Sequence, residues 1–410
     1  MPVTSAVGTE RLASQAGRLA GTLKAPAPCL HGKPWLAQSL SAGTAGTALL
    51  HVERARSGQG TWQQAHAWIT AAASGEISAA ATAGLYLGLP ALTFLLDTAS
   101  VGGRYSGALA DTDHHLKRLA RSRVANATDR IRSGQAPGFR EYDTFSGLTG
   151  IGALLLRRDP AGSTMEQVLR YLVALTHPRA ADGGKVPGWW AGHDPRSRQS
   201  PHYPGGHGNF GMAHGIAGPL ALLSHAERRG VTIGGQREAI SEILAFLDAW
   251  RQESPAGPWW PEWITMADLR AGRPGQRRPN RPSWCYGTPG IARAGQLAGI
   301  ALADAGSQLC YEQALAASLR DPAQLAQIID PGLCHGAAGL YMTAWRGAQD
   351  ALSSEITSLL PAIADRLHNL EDGTADGPGL LNGTAGTALA LYAASGITPI
   401  SGWDACLLIS

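Results

Sequence analysis

Cysteine is scarce. Five occur in 410 residues, at 29, 285, 310, 334 and 406. An odd count in a long chain without a secretory signal argues against a disulfide framework. Charge is low as well, at 16% of residues, and it is balanced: 34 basic against 31 acidic side chains, net +3. That balance excludes a protein that engages nucleic acid or a membrane surface by bulk electrostatics. Long apolar runs are missing. The most apolar window, GLYLGLPALTFLL at 84–96, is too short and too interrupted by Gly and Pro to span a bilayer. The N-terminus lacks the charged-then-apolar pattern of a signal peptide, so a soluble cytoplasmic protein is expected. β-Branched runs are few, and strand signals are weak throughout.

Glycine is abundant, with 52 residues, and it is ordered. A Gly-x-x-Gly pattern, each time followed by an Ala/Leu-rich run, starts at Gly43, Gly147, Gly215, Gly287, Gly336 and Gly383. A degenerate copy starts at Gly88, with Ala91 in the second glycine position. Phosphate loops are excluded, because no Walker lysine follows and no strand-like run precedes. Each copy reads as a helix start. The first glycine would tolerate the turn, and small residues would let neighbouring backbones approach.

More polar segments with helical period lie between the copies: near 9–23, 61–73, 114–132, 163–175, 236–250, 308–320 and 353–370. Their apolar positions recur three and four apart. Ser163 and Glu166 have capping-box spacing. Polar helix and small-residue helix thus alternate seven times. A sequential array of helix pairs can be an open solenoid or a closed ring. The Gly/Ala-rich helices suit tight convergence, which points to an all-α, double-layered α/α toroid of about seven pairs, a single domain over 1–410. Two irregular connections, near 176–210 and 252–283, are rich in Gly, Pro, Trp and Arg. Loops of that length are often functional, and they are expected to frame one mouth of the ring. Trp189, Trp190, Trp259, Trp260 and Trp263 either line a peptide groove or form satellite core there. His193, His202 and His207 are read as loop residues.

Reactive side chains recur at one offset from the first glycine. Cys285 and Tyr286 stand at −2 and −1 before Gly287. Cys334 and His335 stand at −2 and −1 before Gly336. His214 is at −1 before Gly215, and Asp143 and Ser146 are at −4 and −1 before Gly147. Equivalent positions of adjacent repeats lie close together in a ring, so these groups should converge at one end. Two cysteines and a histidine form a typical Zn²⁺ set, and three protein ligands leave an open position. A Cys285–Cys334 disulfide is the lesser alternative. Cys29, Cys310 and Cys406 hold no special offset and read as small buried hydrophobes. A thiolate-rich zinc suits thiol activation and carbon–sulfur bond formation better than activation of water.

The motifs AHGIAG (213–218), RPSWCYGTPG (281–290), CHGAAG (334–339) and YDTFSGLTG (142–150), with the glycine repeats, resemble those of the LanC-type lanthipeptide cyclases. The resemblance covers essentially the whole chain. It implies a zinc-dependent lanthionine synthetase holding one Zn²⁺ on Cys285, Cys334 and His335. The reaction would be intramolecular Michael addition of peptide cysteine thiols to dehydroalanine or dehydrobutyrine, giving (methyl)lanthionine thioethers. His214, Asp143, Arg281 and Tyr286 match the family's other active-site positions. His214 would serve as acid or base, Asp143 as its orienter or as a helix cap, and Arg281 as a support for the enolate oxygen. The implied partners are a dehydrated precursor peptide with its leader, a lanthipeptide dehydratase and an exporter. Location would be cytoplasmic, peripheral to a membrane-associated biosynthetic complex. A LanC-like enzyme that adds a free thiol such as glutathione would use the same site, and a non-catalytic peptide-binding toroid is the reading from another class. An α/α-ring glycosidase would need two opposed carboxylates, which the repeat offsets do not carry.

Overall fold

The structure is a computed structural model that describes residues 8–26, 33–181, 184–370 and 376–410. Cys29 lies outside the described residues. The chain divides into two compact units, residues 1–116 with 326–410, and residues 117–325. The first contains α1 (Thr9–Thr22), α2 (Thr44–Arg56), α3 (Trp62–Ala72) and α4 (Leu89–Ala99). A long helix α5 (Ser106–Arg132) runs from the first into the second. The second unit holds α6 (Phe139–Tyr142), α7 (Leu148–Arg158), α8 (Ser163–Thr176), α9 (Ala217–Arg228), α10 (Gln236–Ala249), α11 (Met266–Ala271), α12 (Thr288–Leu302), α13 (Ala305–Arg320) and α14 (Pro322–Leu325). The first unit resumes with α15 (Ala337–Asp350), α16 (Glu355–Asn369) and α17 (Thr384–Ala394).

All seven Gly-x-x-Gly copies open helices: α2, α4, α7, α9, α12, α15 and α17. The alternation with polar helices holds. α2, α7, α12 and α15 pack most extensively on the polar helix that follows each, and α17 packs on α1. Small-residue helices also pack on one another: α15 on α17, α17 on α2 and α2 on α4 in the first unit, α7 on α9 and α9 on α12 in the second. A helix with partners on several sides must be small and apolar all round. α12 is accordingly buried at every residue from Thr288 to Gly299.

The glycines work by close approach more than by unusual dihedrals. Among the cap glycines of six of these helices only Gly88 has positive φ, +75°. Gly43, Gly147, Gly287, Gly336 and Gly383 are extended. A Cβ on Gly287 would collide with the Ser283 amide, and one on Gly339 or Gly386 with the carbonyl of Leu333 or Leu380. The turn before the helix folds back onto its first residues, so a side chain has no room there.

Two local expectations are corrected. Ser163 does not cap α8: the helix begins at Ser163, with Gly162 as N-cap and no side-chain cap bond. A capping box exists instead at Thr265 and Asp268, opening α11. Strands also occur, among the described residues all in the two long connections. β1 (Arg179–Ala181) pairs with β2 (Gly184–Val186), and β4 (Gln252–Ser254) pairs with β5 (Gly257–Trp259). β3 (His207–Asn209) pairs with β6 (Trp263–Thr265), which fastens one long connection to the other. Such three-residue strands carry too few alternations to be read from sequence. Trp189, Trp190, Trp259 and Trp260 are buried, so satellite core is their role. Trp263 is half-buried.

Candidate active site

The segments ahead of the helix starts are joined by backbone hydrogen bonds at, or one residue before, the offset that carries the chemistry. In the second unit Thr144 N–H donates to Ala213 C=O (3.1 Å), and Ala213 N–H to Cys285 C=O (3.2 Å). In the first, Cys334 N–H donates to Leu381 C=O (2.9 Å), Leu381 N–H to Ser41 C=O (2.9 Å), and Leu40 N–H to Tyr86 C=O (3.1 Å). Within each unit equivalent positions of adjacent repeats therefore are neighbours, as the register predicts.

In the second unit His214 and Asp143 meet. His214 Nδ1 lies 2.6 Å from Asp143 Oδ2. The other oxygen, Oδ1, accepts the N–H groups of Ser146 and Gly147, both at 2.7 Å. Asp143 is wholly buried, so it both orients the imidazole and fastens the turn that opens α7. Asp143 is not a helix N-cap: α7 is capped by Gly147 with no side-chain cap bond, and the second carboxylate oxygen ties the preceding turn instead. With Nδ1 facing a carboxylate, Nε2 is the nitrogen left for proton exchange. The imidazole is 27% exposed and sits between Phe139 and Phe145, ring centroids 4.9 and 4.8 Å away. Arg123, from α5, donates to the Ser146 carbonyl. Its own pKa is lowered by burial and partly restored by Asp143.

Cys285 is buried, and its Sγ is 3.6 Å from Ser283 Oγ. Ser283 Oγ also accepts the N–H of Gly287 at 3.1 Å, as Asp143 does for Gly147. Tyr286 lies 6.1 Å from His214, ring to ring, and Trp263 meets it edge-on at 6.2 Å. Burial raises the Tyr286 pKa, with a hydrogen bond to Asn209 opposing, so the phenol is neutral. Arg281 is half-buried on the strand-free segment before α12. Glu262 is near enough for both Cys285 and Arg281 to act on its charge, and burial raises its pKa.

In the first unit the Cys334 sulfur and a His335 ring nitrogen lie within 4.8 Å of each other. Asp330 Oδ2 is 3.9 Å from His335 Nε2, and its Oδ1 accepts Gly332 N–H at 3.1 Å. Cys285, Cys310, Cys334 and Cys406 are all free thiols, which overturns the disulfide alternative. Soft sulfur and imidazole donors, with a carboxylate beside the imidazole, fit a zinc ion. Cys406 is buried and donates to the Trp403 carbonyl at 3.2 Å. Cys310 is only half-buried and accepts from Arg251 at 2.9 Å, so it is not the plain buried hydrophobe expected.

A family model described as lanthionine synthetase C-like protein matches residues 34–408. The chain belongs to that family. The nisin biosynthesis protein NisC of Lactococcus lactis subsp. lactis is 26% identical over 204 residues, 49% of this chain and 47% of that protein. The match thus spans about half the length of that relative. A solved nisin cyclase structure matches with a TM-score of 0.77 at 19% identity, covering 98% of this chain and 96% of the other. That likeness shows the fold. Among the described residues no helix is long and apolar enough to cross a membrane.

Three contributors were not singled out from sequence. Asn209 and Asp330 both stand at −6 from the first glycine of their copies, and each turns Oδ1 to the N–H two residues on. That shared offset was a usable signal. Phe139, which walls His214, had none.

Proposed function

We propose that the protein is a lanthipeptide cyclase that adds peptide cysteine thiols to dehydroalanine or dehydrobutyrine within the same peptide. The observation that carries this reading is the His214–Asp143 pair, one repeat from Cys285 along the hydrogen-bonded offset. Family membership and the free thiols at that offset support it. In this proposal the helix pairs form one catalytic toroid over 1–410, and Cys285, Cys334 and His335 hold one Zn²⁺. When bound, zinc would keep the peptide thiol deprotonated yet nucleophilic at neutral pH.

The remaining work falls to this chain's side chains. His214 takes up the thiol proton at Nε2 while Asp143 holds Nδ1–H and offsets the imidazolium charge. The C–S bond forms as the alkene π bond breaks, and its electron pair moves onto the amide as an enolate. Arg281 steadies the enolate oxygen. His214 returns the proton to the α-carbon, so atoms and charge balance with no co-reactant. Phe139 and Phe145 restrict water around the imidazole. The substrate is a dehydrated precursor peptide with its leader, made by a dehydratase, and the exporter would act on the product.

The test is mass spectrometry of thiol-alkylated product from a dehydrated precursor, with and without chelator, beside the metal content of the protein. The reading expects one zinc per chain, and expects ring formation lost with chelator and in Cys285→Ala. Normal cyclisation by a zinc-free Cys285→Ala protein would sink it.

A further inference from the structure

The first long connection reaches the His214–Asp143 pair through a side chain that the mechanism above leaves unused. A one-turn helix such as α6 leaves its first N–H groups without a partner inside the helix. The first of them, Phe139 N–H, donates to His193 Nε2 at 3.2 Å. A backbone N–H only donates, so Nε2 carries a lone pair there. His193 Nδ1 is 2.7 Å from the Asp194 carbonyl. That carbonyl only accepts, so Nδ1 carries the ring's hydrogen. Both directions are fixed by the partners, and only the neutral Nδ1–H ring satisfies them. The imidazole meets the Phe139 ring edge-on, centroids 4.9 Å apart. Glycine at 138 permits the approach, since a Cβ there would stand 3.3 Å from Nε2. Alongside, Gly192 N–H donates to the Pro137 carbonyl at 3.0 Å. His193 is itself tied to β3. His207 Nδ1 lies 2.6 Å from the His193 carbonyl, and Ala191 and His207 exchange two backbone bonds, each 2.9 Å.

We propose that His193 is a positioning residue: by accepting Phe139 N–H it seats α6, and through α6 it sets the Asp143–His214 pair. The Phe139 carbonyl accepts the Asp143 N–H at 2.8 Å, so the residue that His193 holds also holds the Asp143 backbone. The Phe139 ring lies against the His214 imidazole, 4.9 Å centroid to centroid. One residue thus supports both members of the pair, one by its carbonyl and the other by its ring. Elsewhere on α6, Glu141 accepts from Arg130 of α5 at 2.7 and 2.9 Å, and from the Tyr171 hydroxyl of α8 at 2.7 Å. Those bonds fasten α6 to its neighbouring helices. His193 adds the hold from the long connection, at the residue that touches His214. A displacement of about 1 Å in such a group is enough to cost a large part of the rate. The effect on catalysis rests on the cyclase reading, whereas the seating of α6 does not.

His193→Gln and His193→Leu test it. A glutamine amide oxygen reaches about as far as Nε2 and accepts, whereas leucine fills similar space and cannot. The first readout needs no turnover. The chain has five phenylalanines, so selective ¹⁵N-Phe labelling gives few amide signals, and Phe139→Leu assigns the one from residue 139. Hydrogen exchange at Phe139 should be at least about tenfold faster in His193→Leu than in wild type. His193→Gln should stay near wild type. Exchange as slow in His193→Leu as in wild type, or a glutamine variant no slower than the leucine one, would overturn the proposal whatever the enzyme does. The second readout is kinetic. On a dehydrated precursor, His193→Leu should lower kcat about 10- to 100-fold with KM little changed, and His193→Gln should recover most of the loss. A purely structural role would lower the melting temperature and leave the kcat of folded enzyme where it was. In an Asp143→Asn background His193→Leu should cost little more, because the pair that it positions is already disabled. A full further loss there, or a His193→Leu enzyme as fast as wild type, would overturn the link to the pair. If wild type forms no thioether, the cyclase reading itself fails, and the exchange result still decides whether His193 seats α6.

Discussion

The turns before α15 and α17 are built alike and do different things. Gly336 and Gly383 are both extended N-caps where a Cβ would strike backbone. Cys334 and Leu381 occupy the same offset, and one hydrogen bond joins them. Yet one turn presents Cys334 and His335, the other Leu381 and Asn382. The glycines and the bond ladder make a mounting that is indifferent to what stands on it. Chemistry was installed at some mounts, and packing was left at the others.

The largest break in that comparison comes from the mounted residues. Cys334→Ala should lose zinc and all cyclisation, with the metal-free protein melting near wild type. Leu381→Ala should keep its metal but lose about 2–5 kcal/mol of stability, as buried Leu truncations do. Metal analysis beside denaturant titration separates the two. Equal metal loss in both would show that the offset has no division of labour.

Asp143→Asn should reduce turnover by about 10²–10⁴-fold, the range for a misoriented acid–base group. The mount should survive, since an amide oxygen can still accept from Ser146 and Gly147. Steady-state kinetics with a melting curve checks both halves.

The two units also share a pH liability. His51 in α2 is buried against Trp68, rings 5.3 Å apart, and burial lowers its pKa from 6.5 to about 4. Between those values the unfolded chain binds the proton and the folded one does not. Stability is therefore full above pH 6.5 and falls as pH drops towards 4, by about 3 kcal/mol. His207 contributes in the same direction in the second unit. His51→Leu should flatten the decline between pH 7 and 4.5 in urea titrations. An unchanged slope would refute the assignment.

Gly287→Ala and Gly383→Ala should each lose about 1–3 kcal/mol, a comparable penalty at a chemical mount and a packing mount. Calorimetry of the pair measures how alike the mounts are. The smallest effects are at the corrected caps: Thr265→Ala should lose about 1 kcal/mol, and Ser163→Ala less than about 0.5 kcal/mol.

Much of this was legible. Glycine spacing located all seven small-residue helices, and the offset singled out Cys285, Cys334, His335 and His214 as candidates, because a repeated turn repeats its side-chain directions. Pairing of helices was not legible, since period alone does not say whether a polar helix packs on the helix before it or after it. The strands in the long connections were too short to show a period. Asn209 passed unnoticed because asparagine next to a glycine also reads as an ordinary turn.

Sequence by itself determined the alternation of helices, the sites where backbone must approach backbone, and which residue types stand at the reactive offset. These are local properties, set by side-chain size and spacing along the chain. Tertiary structure decided that Asp143 spends one oxygen on a turn and the other on His214. It also decided that the Phe139 and Phe145 rings flank the His214 imidazole. Those pairings join segments about 70 residues apart, and only the folded backbone brings their donors and acceptors into register.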